Sequence, residues 1–301
     1  MQKSEITPAL VRRLLVAQFP QWADLPITRV ELDGWDNTTF RLGDDLSVRL
    51  PSGDGYSVQA AKEHQWLPVL APQLPLAIPR AVALGTPSDV FSRPWSVRGW
   101  LHGEPATQER VPDLDHFARD LARFLRELYR IDARGGPGAG LHSWFRGAPL
   151  TTWDGQTRAA VAALDGTIDG RAALDTWEHA LAERFNGPPL WVHGDIAGSN
   201  LLVADGELVA VLDFGCCAVG DPGCDLAIAW TFFDAVTRRA FRTTLDVDDA
   251  TWARGRGWAL WKALTELDRY REPPSDGLVS WVRMGWRFPP ERVIEEVLSE
   301  A

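Results

Sequence analysis

Cysteine, lysine and long apolar runs are all scarce in this chain of 301 residues, and each shortage removes a class of protein. Its three cysteines, Cys216, Cys217 and Cys224, fall within nine positions. An odd, clustered set builds no disulfide framework, and no nearby His or Cys completes a four-ligand zinc site. They read as small buried hydrophobes in a protein of the reducing cytoplasm. The longest stretch without Asp, Glu, Lys or Arg, His64 to Pro79, is broken by Pro68, Pro72, Pro75 and Pro79 and cannot span a bilayer. The N-terminus carries Arg12 and Arg13 where a signal peptide needs unbroken apolar residues. It reads instead as an amphipathic helix capped by Thr7 and opened by Pro8.

What is present describes a folded, water-soluble chain. Hydrophobic residues make up 45% and charged residues 24%, which leaves no room for extended disorder, collagen-like repeats or coiled coil. At roughly 150 residues per domain the length suits two domains or one large one. The 31 basic against 41 acidic residues leave a net charge of -10, a sign that repels phosphate backbones and argues against nucleic acid as a partner.

The pattern along the chain changes midway. Ile27 to Leu32, Thr38 to Leu42 and Leu46 to Leu50 are strand-like, with Gly43-Asp44-Asp45 as a turn, and predict a small antiparallel meander. In the third of these, Leu46, Val48 and Leu50 alternate with Ser47 and Arg49, so Arg49 faces away from the apolar side. A helix from about Gly55 to Leu67 carries Glu63, and strands at Ala81 to Gly85 and Trp95 to Leu101 lead to a connector at Gly103-Glu104-Pro105. Helices then dominate. Leu114, Phe117, Leu121, Phe124 and Leu128 make one apolar stripe within Asp113 to Ile131. Further helices are predicted at Trp153 to Leu164, Arg171 to Phe185, Pro222 to Asp234, Asp249 to Tyr270 and Glu291 to Leu298. The fold class is α+β, with a sheet-bearing lobe over residues 1–101 and a mainly helical lobe over 102–301.

One hairpin interrupts the helical half. Leu201 to Ala204, then Asp205-Gly206, then Glu207 to Leu212 suit a two-residue type I′ turn. Its ends, Asn200 and Asp213, come side by side. Those two residues belong to a recognisable series: His193-Gly194-Asp195-Ile196-Ala197-Gly198-Ser199-Asn200, then Asp213-Phe214-Gly215, matches H-x-D-x-x-x-x-N and D-F-G, the phosphoryl-transfer signature of the protein-kinase superfamily. From average residue usage, both patterns this close together arise by accident in fewer than about one chain in a thousand. The chemistry asks for these residue types. Mg²⁺ ions need hard oxygen ligands at fixed positions, which Asn200 and Asp213 supply. The acceptor hydroxyl must be held and relieved of its proton, the role that suits Asp195. His193 reads as structural, orienting the loop through its ring nitrogens.

The run from Val192 to Ala227, with His193-Gly194-Asp195, Asp213-Phe214-Gly215 and Gly220-Asp221-Pro222-Gly223-Cys224-Asp225-Leu226-Ala227, resembles the aminoglycoside phosphotransferase family, kin to choline kinases. The resemblance implies a bilobal protein-kinase-like fold, Mg-ATP as donor and a small hydroxyl-bearing acceptor held by the helical lobe. It also implies that Asp225 braces the catalytic loop, and that adenine stacks near the connector and bonds the backbone around Arg98, Gly99, Trp100 and Leu101. Between Gly215 and the helix opened by Pro222 only six residues remain, too few for a peptide-docking segment, and no Ala-Pro-Glu follows, which separates the chain from protein kinases and favours a small-molecule substrate.

The nucleotide half departs from the pattern in two places. A strand-borne lysine normally meets the ATP phosphates and pairs with a helix glutamate, yet the chain holds only Lys3, Lys62 and Lys262, none on a suitable strand. Arg49 takes that place, paired with Glu63; a guanidinium grips phosphate bidentately. The phosphate-covering segment Gly34-Trp35-Asp36-Asn37-Thr38-Thr39-Phe40 has one glycine, so hydroxyls and amides of Asn37, Thr38 and Thr39 are expected to cradle phosphate.

For the acceptor, the sequence offers classes rather than residues. Trp230, Trp258, Trp261, Trp281 and Trp286, among fifteen tryptophans, suit either a core or sugar-stacking surfaces, and core is the commoner fate. Asp234, Glu266, Asp268 and Glu272 suit ammonium groups or nearby arginines. The expected activity is Mg²⁺-dependent transfer of the γ-phosphate of ATP to a hydroxyl of an aminoglycoside-like or other natural-product antibiotic, with the choice between ATP and GTP left open by the sequence. A metabolic kinase for choline, methylthioribose or a similar alcohol shares every motif, and a nucleotide-binding module without catalysis is the remaining alternative. No membrane and no obligate protein partner is implied.

Overall fold

The structure is a computed structural model that describes residues 3–30, 36–269 and 280–300. Gly34, Trp35 and Glu272, named above, lie outside the described residues.

Helix α1, Pro8–Gln18, starts where Thr7 Oγ1 accepts the Leu10 amide at 3.3 Å, and it buries Leu10, Val11, Leu14 and Leu15. Strands β1 (Ile27–Arg29), β2 (Asn37–Leu42) and β3 (Leu46–Pro51) form the meander, with Gly43 at φ +60° in the tight turn between the last two. Helix α2, Ser57–Leu70, runs on past the predicted end and holds Pro68 inside it. Strands β4 (Ala81–Gly85) and β5 (Trp95–Gly99) complete an antiparallel five-stranded sheet of order β1-β2-β3-β5-β4.

Strand alternation splits this sheet into two chemically distinct faces. Phe40, Leu42, Val48, Leu50, Trp95 and Val97 lie on one and join α1 in a buried cluster. On the other, Thr39 opposes Arg49, Arg49 opposes Ser96 and Ser47 opposes Arg98, so both arginines project from one face, Arg49 to Asp213 and Arg98 to Glu63 on α2.

After the connector, β6 (Glu104–Pro105) pairs with Leu202 and Val203 of the hairpin. Helix α3, Leu114–Arg130, buries the predicted stripe. Then come α4 (Asp154–Ala163), α5 (Gly170–Ala182), β7 (Leu190–Val192), β8 (Leu201–Ala204), β9 (Glu207–Val211) and β10 (Ala218–Gly220), the last paired with β7. Helices α6 (Ile228–Thr231), α7 (Ala235–Leu245), α8 (Asp249–Arg269), α9 (Ser280–Arg283) and α10 (Pro290–Ser299) close the fold. The main core lies in this half, built on Phe117, Phe124, Trp177, Trp191, Trp230 and Trp258.

The predicted helix Pro222 to Asp234 is replaced by a 3-10 stretch, Pro222–Ala227, and the single turn α6. Asp234 does not end that helix. It caps α7, which the sequence reading lacked, accepting the Val236 and Thr237 amides at 3.1 and 3.0 Å. Among the described residues no helix is long and apolar enough to cross a membrane.

Candidate active site

The site grows from the β8–β9 hairpin. Asp205 at φ +52° and Gly206 at φ +86° make the predicted turn, and the Leu212 amide donates to the Asn200 carbonyl at 2.7 Å, setting Asn200 beside Asp213. Asn200 Nδ2 donates to the Asp195 carbonyl at 2.9 Å and lies 3.4 Å from its Oδ2, which leaves the Asn200 amide oxygen free to meet a cation.

Asp195 stands on a loop held from both sides. The Asp225 carboxylate, fully buried, accepts the His193 amide at 3.0 Å and the Gly194 amide at 2.6 Å, while Tyr129 Oη donates to it at 3.4 Å. Burial pushes the Asp225 carboxyl up, opposed by His193 and by the bonds from the Gly194 and His193 amides. His193 spends both ring nitrogens on the loop: Nδ1 accepts the Asp195 amide at 3.2 Å and Nε2 donates to the Leu212 carbonyl at 2.8 Å. Its ring meets Phe214 edge-on at 4.7 Å. Position 194 requires glycine on two counts: its φ is +84°, and a Cβ there would sit 2.7 Å from the Cys216 carbonyl oxygen and 2.8 Å from Arg146 Cβ.

Asp213 occupies the left-handed region at φ +59°, an uncommon conformation for a residue with a side chain. Its Oδ1 accepts the Gly215 amide at 3.3 Å and its Oδ2 pairs with Arg49 at 3.1 Å. Burial works against its charge, but Arg49 and Arg98 outweigh it and hold the carboxyl below the usual range.

The sheet's partner for Glu63 differs from the expectation. Glu63 takes Arg98 bidentately, at 2.9 and 2.5 Å, and Arg49 only at 3.8 Å. Arg98 therefore serves through its side chain, while its backbone lies in the ladder opposite Ser47 and Ala81. Burial also opposes the charge of Arg49; Asp213 and Glu63 more than offset it and hold that guanidinium above its ordinary range. The expected connector contacts narrow in the same way. The Gly99 amide already donates to Arg80 O at 2.9 Å and the Trp100 amide to Asp45 O at 2.8 Å, so Leu101 keeps the uncommitted amide. Asn37 and Thr39 lie on the Arg49 face of β2. Thr38 does not: it shares a face with Phe40 and Leu42 and is fully buried, which removes its hydroxyl from any phosphate cradle.

Three polar residues were missed in the sequence. Lys62, buried on α2, donates to the carbonyls of Gly215 at 2.7 Å, Cys217 at 2.9 Å and His142 at 3.2 Å, bolting the turn after Asp213 to α2. Lys262 on α8 reaches Asp195 Oδ1 at 3.4 Å. Asp36 accepts Gln59 Nε2 at 3.1 Å, and its carboxyl is raised to about 7 by burial first and then by Asp213 and Asp195. In a chain that writes almost all its cations as arginine, two interior lysines are the signal that would have found the first two.

The Asp213 carboxylate, held below the usual range, and the Asn200 amide oxygen form a hard oxygen donor set, the kind that suits Mg²⁺. Asn200 and Asp213 fit the metal-holding role in residue type and mutual placement.

The acceptor candidates fall mostly to structure. Trp230, Trp258, Trp261 and Trp286 are buried, and Trp281 packs half-buried on the core. Asp234 is the α7 cap and lies 3.6 Å from Arg287; Glu266 pairs with Arg269 and accepts Ser280 Oγ.

Residues 27–258 match the model of the phosphotransferase enzyme family, APH. Among curated protein sequences no match was found. The fold is similar to the GDP complex of wild-type aminoglycoside 2'-phosphotransferase-IIIa, at 18% identity and TM-score 0.69 over 98% of this chain and 99% of that one. It is also similar to ADP-bound aminoglycoside phosphotransferase APH(2'')-Ib, at 19% identity and TM-score 0.61 over 96% and 100%. A third likeness is to the apoenzyme of macrolide 2'-phosphotransferase MphH from Brachybacterium faecium, at 22% identity and TM-score 0.61 over 92% and 97%. At these identities the likeness is one of fold, and the kinase-like architecture expected above is the one observed. With its family match covering most of the length, from the first strand of the sheet into α8, the chain belongs to the phosphotransferase enzyme family.

Proposed function

We propose that the enzyme transfers the γ-phosphoryl group of ATP or GTP to a hydroxyl of an antibiotic of the aminoglycoside or macrolide type. The observation that carries this reading is the hairpin mouth, where the Leu212 amide bonds the Asn200 carbonyl and so brings Asn200 next to Asp213, with the Asp195 carboxylate, 39% exposed, bonded to the Asn200 side chain. The antibiotic class is supported by the names of the structural neighbours, which include both aminoglycoside and macrolide phosphotransferases.

In this reading the sheet half, residues 1–101, holds the nucleotide and residues 102–301 hold the acceptor. Leu101 offers its amide to the base. Arg49, already beside Asp213, meets the phosphates, with Asn37 and Thr39 on the same face. Asn200, through its amide oxygen, and Asp213 would hold Mg²⁺, which when bound screens phosphate charge. Asp195 orients the acceptor hydroxyl and takes its proton as the oxygen bonds to the γ-phosphorus. The bond to the β,γ-bridging oxygen breaks, and the diphosphate leaves with that electron pair. His193 and Asp225 keep the loop in register.

A coupled ADP-release screen over aminoglycosides, macrolides, choline and sugar alcohols, with mass spectrometry of the product, tests the proposal. Phosphorylation of an antibiotic supports it; turnover of choline or a sugar alcohol alone overturns the antibiotic class while leaving the phosphotransferase.

A further inference from the structure

Helix α8 presents one edge to the catalytic segment. Arg254, Trp258 and Lys262 recur every four residues and so share a face, spanning about 12 Å of helix. Arg254 Nε clamps Asp221 at 2.8 Å, both groups being buried. Gly255 lies tight against Leu226, where an added Cβ would meet the Leu226 side chain at 2.6 Å. Trp258 is fully buried between the two cations. The helix is therefore fixed against the segment Asp221 to Leu226, whose Asp225 holds the catalytic loop.

At the far end of this edge Lys262 is 8% exposed, and its ammonium lies 3.4 Å from Asp195 Oδ1. Among the described residues it makes no other ion pair. An ammonium taken out of water is costly unless a carboxylate answers it, so this pairing constrains both partners. The Asp195 carboxylate is consequently held at both oxygens, by Lys262 at Oδ1 and by Asn200 Nδ2, 3.4 Å away, at Oδ2. Its backbone is held as well, by His193 at the amide and Asn200 at the carbonyl. These contacts leave one orientation for the carboxylate.

We propose that Lys262 is a positioning residue for phosphoryl transfer, fixing the Asp195 carboxylate from α8 so that it meets the acceptor hydroxyl in a single orientation. The proposal rests on the reading of Asp195 as the proton acceptor. A guanidinium in its place keeps the charge but is larger and planar.

The test is steady-state ADP release by the full-length enzyme with Mg·ATP, first with water and then with any antibiotic that is turned over, for Lys262→Met, Lys262→Arg and Asp195→Asn. Lys262→Met is expected to lower kcat by at least about tenfold while the nucleotide KM stays within about twofold, and Lys262→Arg to recover part of the loss. If Lys262→Met fails to fold, Lys262→Gln carries the same expectation. A variant with reduced melting temperature but unchanged kcat per folded molecule overturns the proposal, because it marks the pair as structural. Inactive Asp195→Asn beside fully active Lys262→Met removes Lys262 alone. Full activity in Asp195→Asn removes the base, and Lys262's role with it.

Discussion

Glu63 and Arg98 form a buried two-bond ion pair at 2.9 and 2.5 Å, and it is this pair, rather than one between Glu63 and Arg49, that ties α2 to the sheet. Arg49 stands one step further along, 3.8 Å from Glu63 and 3.1 Å from Asp213. Charges alternate from Arg98 through Glu63 and Arg49 to Asp213. The four side chains form one network joining the sheet, the helix and the hairpin.

Removing one partner from a buried pair strands the other charge, at a cost of about 3–5 kcal/mol. Glu63→Ala is expected to lose stability on that scale in urea unfolding. The double variant Glu63→Leu with Arg98→Met should regain most of it, since no charge is then left unanswered. Arg49→Met, by contrast, should spare more of the stability and weaken nucleotide binding, measured by titration with a fluorescent ATP analogue.

Gly194→Ala places a methyl group against the Cys216 carbonyl and Arg146, at a residue with φ +84°. Backbone strain of this kind costs about 1–3 kcal/mol. Because the loop carries Asp195, turnover should fall by at least about tenfold, with nucleotide affinity retained. Turnover equal to that of the parent enzyme would contradict the tight fit.

His142 gives the protein a defined acid weakness. Its Nδ1 accepts Lys62 Nζ at 3.1 Å and its Nε2 donates to Gly138 O at 2.8 Å, a pattern met by the neutral ring. Burial first, and the Lys62 ammonium, hold its pKa below the ordinary 6.5 against the opposing bond to Gly138. The unfolded chain thus takes up a proton that the folded chain refuses. This contribution is intact above pH 6.5 and is lost as pH falls from there toward the lower folded value. Unfolding free energy measured across that window should decline, and His142→Gln should flatten the decline.

The three thiols are predicted to be inert. Burial raises Cys217 to about 12, and burial followed by neighbouring carboxylates raises Cys216 and Cys224 well above the usual value. A chromogenic thiol reagent at pH 8 should find almost nothing in the native protein and three groups in denaturant. Rapid native labelling of Cys216, the most exposed of the three, would overturn this.

The parts of the site that were legible in the sequence are those set by local rules. Asp205-Gly206 forces a tight turn, which together with a β-bulge between Leu202 and Val203 brings Asn200 opposite Leu212 and next to Asp213; the alternation in β3 alone sends Arg49 to the polar face. Thr38 obeys the same rule, since its alternation with Phe40 and Leu42 puts it on the apolar side of β2. The Glu63–Arg98 pair joins elements 35 residues apart and depends on how α2 lies across the sheet, which no periodicity encodes. Helix α7 was hidden because Asp234 reads equally as an ending or as a cap. Lys62 and Lys262 carry their signal in rarity rather than pattern, as two of three lysines in a chain whose cations are otherwise arginine.

The central claim is that Asp195, held between α8 and the hairpin, takes the proton of the acceptor hydroxyl while the nucleotide is bound elsewhere. The most direct measurement compares parent enzyme with Asp195→Ala in transfer of labelled γ-phosphate from ATP to an antibiotic, alongside nucleotide affinity. The account predicts at least a hundredfold lower transfer, on the order expected for loss of a general base, with affinity unchanged within about twofold. Undiminished transfer by Asp195→Ala would contradict it.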